Sequence, residues 1–164
     1  MRTLAIATAA LLASASAGAA AAAPASVSVT VGPELQAKAA STLGVREVND
    51  LANDLRRTVE KQLARSSAYD GARIELELTD AQPNRPTFKQ LGDTPGLSYQ
   101  SFGLGGARIE GSAIAPNGHV TPLSYKYYES DIRDSLRGGT WADARWTFDR
   151  FANQLRRGDA VASR

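Results

Sequence analysis

Residues 107–128 alternate in polarity on both sides of Ala115-Pro116-Asn117-Gly118-His119, and this pattern limits the chain more than any other. Two strands joined by so short a link form an antiparallel hairpin, and only one register sorts their side chains. A two-residue Asn117-Gly118 turn would put Ala107, Ile109 and Ala113 on one face with Ser124 and Lys126. A three-residue Pro116-Asn117-Gly118 loop instead pairs Ala115 with His119. Ala107, Ile109, Gly111, Ala113, Thr121, Leu123, Tyr125 and Tyr127 then share one face, and Arg108, Glu110, Ser112, Ser124, Lys126 and Tyr128 the other. Pro at the second turn position and Gly at a left-handed position fit this choice independently.

A hairpin with one apolar face needs a cover. Arg46 to Arg65 supplies one: Val48, Leu51, Ala52, Leu55, Val59 and Leu63 recur at three- and four-residue steps on an otherwise charged segment, which predicts an amphipathic helix. Its acids precede its bases, as the helix dipole favours. A second helix is predicted after Thr140, read as its N-cap with Asp143 in the first turn. Its stripe is Trp141, Ala144, Phe148, Phe151, Ala152 and Leu155, and Arg156-Arg157-Gly158 ends it. The segments VNDLANDLRR (48–57) and FDRFANQLRR (148–157) match in their apolar positions, as two helices covering one sheet would.

Two further strands are predicted. Ser26 to Val31 alternates valines with hydroxyls, and Arg73 to Thr79 alternates Ile74, Leu76 and Leu78 with charged residues. Gly32-Pro33 closes the first strand, and the Ala-rich stretch from Glu34 is read as a turn or two of helix broken at Gly44. From Asp80 to Gln100 three prolines and two glycines predict a long loop. In it Arg85, Phe88, Lys89 and Tyr99 are the candidate partner-contact residues, since a long loop in a compact domain often carries function.

At the N-terminus Arg2, the apolar run from Leu4 to Leu12 and small residues up to Ala23 have the layout of a secretory signal peptide. The expected division is therefore a leader at 1–23, one α+β domain at 24–158 and a disordered tail at 159–164. The apolar run is short of the ~20 residues a membrane span needs, so no span is expected after leader removal. Arg2 leaves with the leader, reducing 19 basic side chains to 18 against 17 acidic ones. A net charge of +1 gives no electrostatic reason to expect nucleic acid or an anionic membrane as partner. The chain has no cysteine, which removes disulfides, thiolate chemistry and a lipid anchor. A periplasmic or secreted bacterial protein suits that composition.

Catalytic patterns are sparse. His119 is the single histidine, beside a turn, so multi-histidine metal sites are excluded and a Ser-His-Asp triad would have to use it. Gly103, Gly105 and Gly106 precede a strand, and Arg108 stands where a dinucleotide loop needs its third glycine. They are read as flexibility or a bulge at the start of the strand. Glu75 and Glu77 share the polar face of their strand, where solvent keeps carboxylates ordinary. No cofactor, metal or catalytic residue is expected.

The element order, with Gly103 to Gly118 running from an apolar strand into a turn and an amphipathic helix at the end, resembles small uncharacterised bacterial envelope proteins. Many of those are lipoproteins. It is also similar to the amino-terminal α/β domain of the Tol-system propeller protein and to the curli-secretion lipoprotein. The resemblance covers Val48 to Arg157 and implies an envelope location. The lipidated cysteine of the lipoproteins has no counterpart here, so neither tethering nor any site residue carries over.

The expected architecture is an α+β two-layer sandwich, β-α-β-(long loop)-β-β-α, with two helices on one face of a mostly antiparallel sheet. The expected function is a non-catalytic envelope protein binding another envelope component through the loop or the open sheet face. Two other classes are a small hydrolase using carboxylates such as Asp80, Asp93, Glu110 or Asp131, and a small-ligand carrier using the aromatics of the hairpin and last helix.

Overall fold

A computed structural model describes residues 23–135 and 138–158. The leader expected at 1–23, apart from its last residue, and the tail expected at 159–164 lie outside the described residues. The protein is an α+β sandwich. Four strands, β1 (Ser26–Val31), β2 (Arg73–Gln82), β3 (Gly106–Ile114) and β4 (Val120–Tyr128), lie side by side in chain order. β1 is parallel to β2, and the β2–β3 and β3–β4 pairs are antiparallel.

Helices α1 (Pro33–Lys38) and α2 (Val45–Leu63), with a π-helical turn at Ala39–Leu43 between them, make the crossover from β1 to β2. Pro33 is not only a strand stop. It opens α1, where a missing N–H costs nothing and a fixed φ helps. The break falls at Gly44, whose φ of +94° suits a glycine.

The long α2 and the C-terminal α5 (Ala142–Arg157) pack on each other and on the sheet. Val48, Leu51, Ala52 and Leu55 of α2 are buried, as are Phe148, Phe151, Ala152 and Leu155 of α5. The shared decapeptide pattern is therefore the imprint of two helices facing one core. Across the sheet that core is met by Ile74, Leu76, Leu78, Ala107, Ile109, Ala113 and Leu123.

The hairpin has the three-residue loop. Ala115 N–H donates to the His119 carbonyl and Gly118 N–H to the Ala115 carbonyl, both at 2.9 Å, and Ile109 lies opposite Tyr125. Gly118 has φ +85° with open space around it. Gly118→Val is expected to cost about 1 kcal/mol, from the backbone alone. Thermal unfolding checks this, and an unchanged melting temperature would contradict the turn.

Two segments differ from expectation. β2 continues past Thr79 through a bulge between Leu78 and Asp80. The extra residue shifts the alternation by one, so Ala81 joins the buried face and Asp80 turns to the polar one. The stretch read as one loop from Asp80 to Gln100 contains a short helix, α3 (Phe88–Asp93). Thr87 starts it through a capping box: its hydroxyl accepts from Gln90 N–H (3.2 Å), and the Gln90 side chain accepts from Thr87 N–H (3.0 Å). A further short helix, α4 (Ile132–Ser135), follows β4.

Candidate functional site

The segment between β2 and β3 is held by a buried polar knot. Asn84 is buried, and its Nδ2 donates to the Asp143 carboxylate while its Oδ1 accepts from Asp143 N–H at 2.9 Å. Its backbone N–H donates to the Thr140 carbonyl and its own carbonyl accepts from Gly103 N–H, both at 2.7 Å. Asp143 Oδ2 also accepts from Gly105 N–H at 3.1 Å.

This knot replaces the cap expected from Thr140. The flanking residue at the start of α5 is Trp141, which makes no side-chain cap, and the first-turn amide of Asp143, which has no acceptor within the helix, is satisfied by Asn84, 59 residues away in sequence. Gly105 is neither a bulge nor a flexible joint. A Cβ there would lie 2.5 Å from Asn84 Oδ1, so the absence of a side chain lets the two segments meet.

Arg85 tightens the same region. Its Nε donates to the Gly138 carbonyl (2.7 Å) and one terminal nitrogen to the Tyr99 carbonyl (2.9 Å), tying both ends of the segment together. Glu47 on α2 accepts from Phe88 N–H (2.7 Å) with one oxygen and from Trp141 Nε1–H (3.2 Å) with the other. Backbone, α2 and α5 together make a fixed platform.

Two of the four contact residues named from sequence come together on that platform. Phe88 is 72% exposed and Tyr99 62%, and their rings meet edge to face with centroids 6.2 Å apart. The other two are occupied within the protein: Arg85 as described, and Lys89 in an ion pair with Asp93 at 2.7 Å. Leu97 and Phe102, which sequence reasoning did not select, are also exposed and border a shallow cavity of about 250 Å³ with Pro83, Pro86 and Gln90. Phe102 stands directly before Gly103 in the Gly-rich stretch that leads into β3.

The polar sheet face carries a second cluster. Asp80 accepts from Lys38 Nζ and from the Tyr128 hydroxyl, each at 2.6 Å. Burial opposes ionisation of Asp80, but the Lys38 and Tyr128 bonds outweigh it and hold its pKa below the usual carboxylate value. Burial, then the Asp80 bond and charge, push Tyr128 far above the ordinary phenol value.

The signs give two limbs. The lowered Asp80 contributes stability above its unfolded pKa of about 3.9, lost as pH falls through its lower folded value. The raised Tyr128 contributes stability below about pH 10, lost as pH rises through its folded value. Asp80→Asn is expected to flatten the acid limb of a urea-midpoint-versus-pH curve, and Tyr128→Phe the alkaline limb. Identical curves for variants and parent would contradict both assignments.

The four carboxylates considered for hydrolysis do not share a site. Asp80 is held by Lys38, Asp93 by Lys89, Glu110 by Arg108 (2.7 Å) and Asp131 by Arg133. Glu75 pairs with Arg73 at 2.7 Å. Among the described residues no three His, Cys, Asp or Glu side chains gather as metal ligands, and His119 is exposed beside the turn. The aromatics of the hairpin and α5 engage one another. Tyr125 packs on Phe151 (6.1 Å), Tyr127 meets Trp146 edge to face (5.0 Å), and the Arg150 guanidinium lies 3.6 Å over the Trp146 ring. Among the described residues no helix is long and apolar enough to cross a membrane.

No protein-family model matches the chain, and none of the curated proteins is detectably similar to it in sequence.

Proposed function

We propose that this is a non-catalytic protein of the bacterial envelope, exported by its N-terminal leader to the periplasm or beyond, that binds another envelope component through the aromatic surface around α3. The observation that carries the reading is the pairing of strong exposure with rigid support at Phe88 and Tyr99. Ring surface left in water forgoes burial worth about 25 cal/mol per Å². The segment presenting it is pinned by Asn84, Arg85, Glu47 and the Thr87 capping box, so a partner need not pay to order it. The hydrolase alternative has no comparable support, because each of its carboxylates already has its own cation.

Export and binding are tested separately. Mass spectrometry of the protein from its native host should find a start near Ala23 or Pro24, and an intact Met1 would sink the export reading. A photo-crosslinking residue at Leu97 should capture one discrete envelope component in cells. Phe88→Ala with Tyr99→Ala should weaken that capture at least about tenfold. The same pair should leave unfolding free energy within about 1 kcal/mol, since both rings are largely solvent-facing. Capture that survives the double substitution would move the contact elsewhere.

A further inference from the structure

The two edges of the sheet are built differently. On β4, Ala115 N–H donates to the His119 carbonyl and Glu129 N–H to the Gly105 carbonyl, both at 2.9 Å, so odd-numbered residues of β4 bond towards β3. Antiparallel alternation then leaves the backbone groups of Val120, Pro122, Ser124, Lys126 and Tyr128 pointing outward. Pro122 offers no N–H at one of these positions, and Lys126 places a charge on the strand. Both are devices that discourage a further strand.

β1 has neither device. Gly32 N–H donates to the Leu78 carbonyl at 2.9 Å, so even-numbered residues bond towards β2 and the backbone of Val27, Val29 and Val31 points outward. The Val31 carbonyl accepts from Gln36 Nε2 at 2.7 Å and keeps a second lone pair. The six residues of β1 include no charge and no proline, and its three valines remain only half-buried.

We propose that β1 is the interface of a two-fold homodimer, in which the β1 strands of two copies pair antiparallel into one continuous sheet of eight strands. The occupant follows from the residue pattern. Opposed residues of an antiparallel pair share a face, so a strand that pairs with itself must match its own reverse. About Val29, Val27 comes opposite Val31 and Ser28 opposite Thr30. Valines continue the core face, hydroxyls continue the polar face, and no charges are opposed. β4 fails the same test: reversed about Ser124, it sets Lys126 against Pro122, which has no donor. A pairing this short covers less than the roughly 1,200 Å² of a standard stable interface, so a dissociation constant in the micromolar range is expected. This interface is independent of the surface around α3.

Sedimentation velocity on the protein as its native host makes it tests the proposal. The expected result is conversion from monomer to dimer between about 1 and 300 µM, unaffected by Phe88→Ala with Tyr99→Ala. Val29→Pro, which removes an outward N–H and no bond to β2, should leave a monomer. So should Ser28→Lys/Thr30→Lys, at two exposed positions, which sets lysines opposite one another. Ser28→Glu/Thr30→Glu should also be monomeric alone, and mixing it with the lysine variant should restore the dimer. A parent chain that stays monomeric throughout the range overturns the proposal. So does a dimer that these variants leave intact, or a mixture of the two charge variants that fails to associate.

Discussion

Asp143→Ala is expected to destabilise the protein by about 3 kcal/mol, because it strands two buried donors at once, the Asn84 side-chain amide and Gly105 N–H. Water reaches neither easily: Asn84 is 1% exposed and Asp143 9%. Chemical denaturation measures the loss. Asn84→Ala should cost a comparable amount, since the first-turn amide of α5 also loses its acceptor. The two share their bonds, so the double variant should cost clearly less than the sum of the singles. Additive losses would mean that the two side chains act separately. The segment carrying Phe88 and Tyr99 is anchored at this knot, so crosslinking from Leu97 should weaken in the Asp143 variant even where the protein stays folded.

Gly111→Ala should be as damaging for a different reason. A Cβ at Gly111 would run into the Glu75 carbonyl oxygen and come within 2.9 Å of Leu76 Cα, in the middle of the sheet and against backbone that cannot step aside. Overpacking of that kind costs about 3 kcal/mol, well above the 1 kcal/mol expected at the open Gly118 turn. Urea unfolding of both variants checks the order. A Gly111→Ala variant as stable as the parent would mean that β2 and β3 can separate locally without loss.

The sequence is readable where the structure repeats over short windows. The stripes of α2 and α5, the alternation of β1 and β2 and the register of the hairpin are local repeats of about 3.6 or 2 residues, and each buried residue announces its neighbours. Every residue of the α2 stripe is in the core, and Ala115 does oppose His119. The polar knot follows no such repeat. Asn84 caps a helix that begins 58 residues later, and nothing near Thr140 reveals that the acceptor comes from elsewhere. The bulge in β2 was equally hidden, because one extra residue inverts the pattern and makes Asp80 and Ala81 look like the start of a loop. At the candidate site, Phe88 and Tyr99 stood out as aromatics in a Pro-rich stretch. That Arg85 turns inward, and that Leu97 and Phe102 stay outside, depends on packing between segments that no short window contains.

The parallel pairing of β1 with β2 bears on the order in which the chain folds. The hairpin closes over three residues, whereas Ser28 must find the Ile74 carbonyl across 46. Closing so large a loop costs chain entropy before any contact rewards it, so β1 docks last, onto a β2–β3–β4 sheet already in place. Until then β1 is an uncharged run of alternating valines without a neighbour. The interval between its synthesis and its docking is when this protein is most exposed to aggregation.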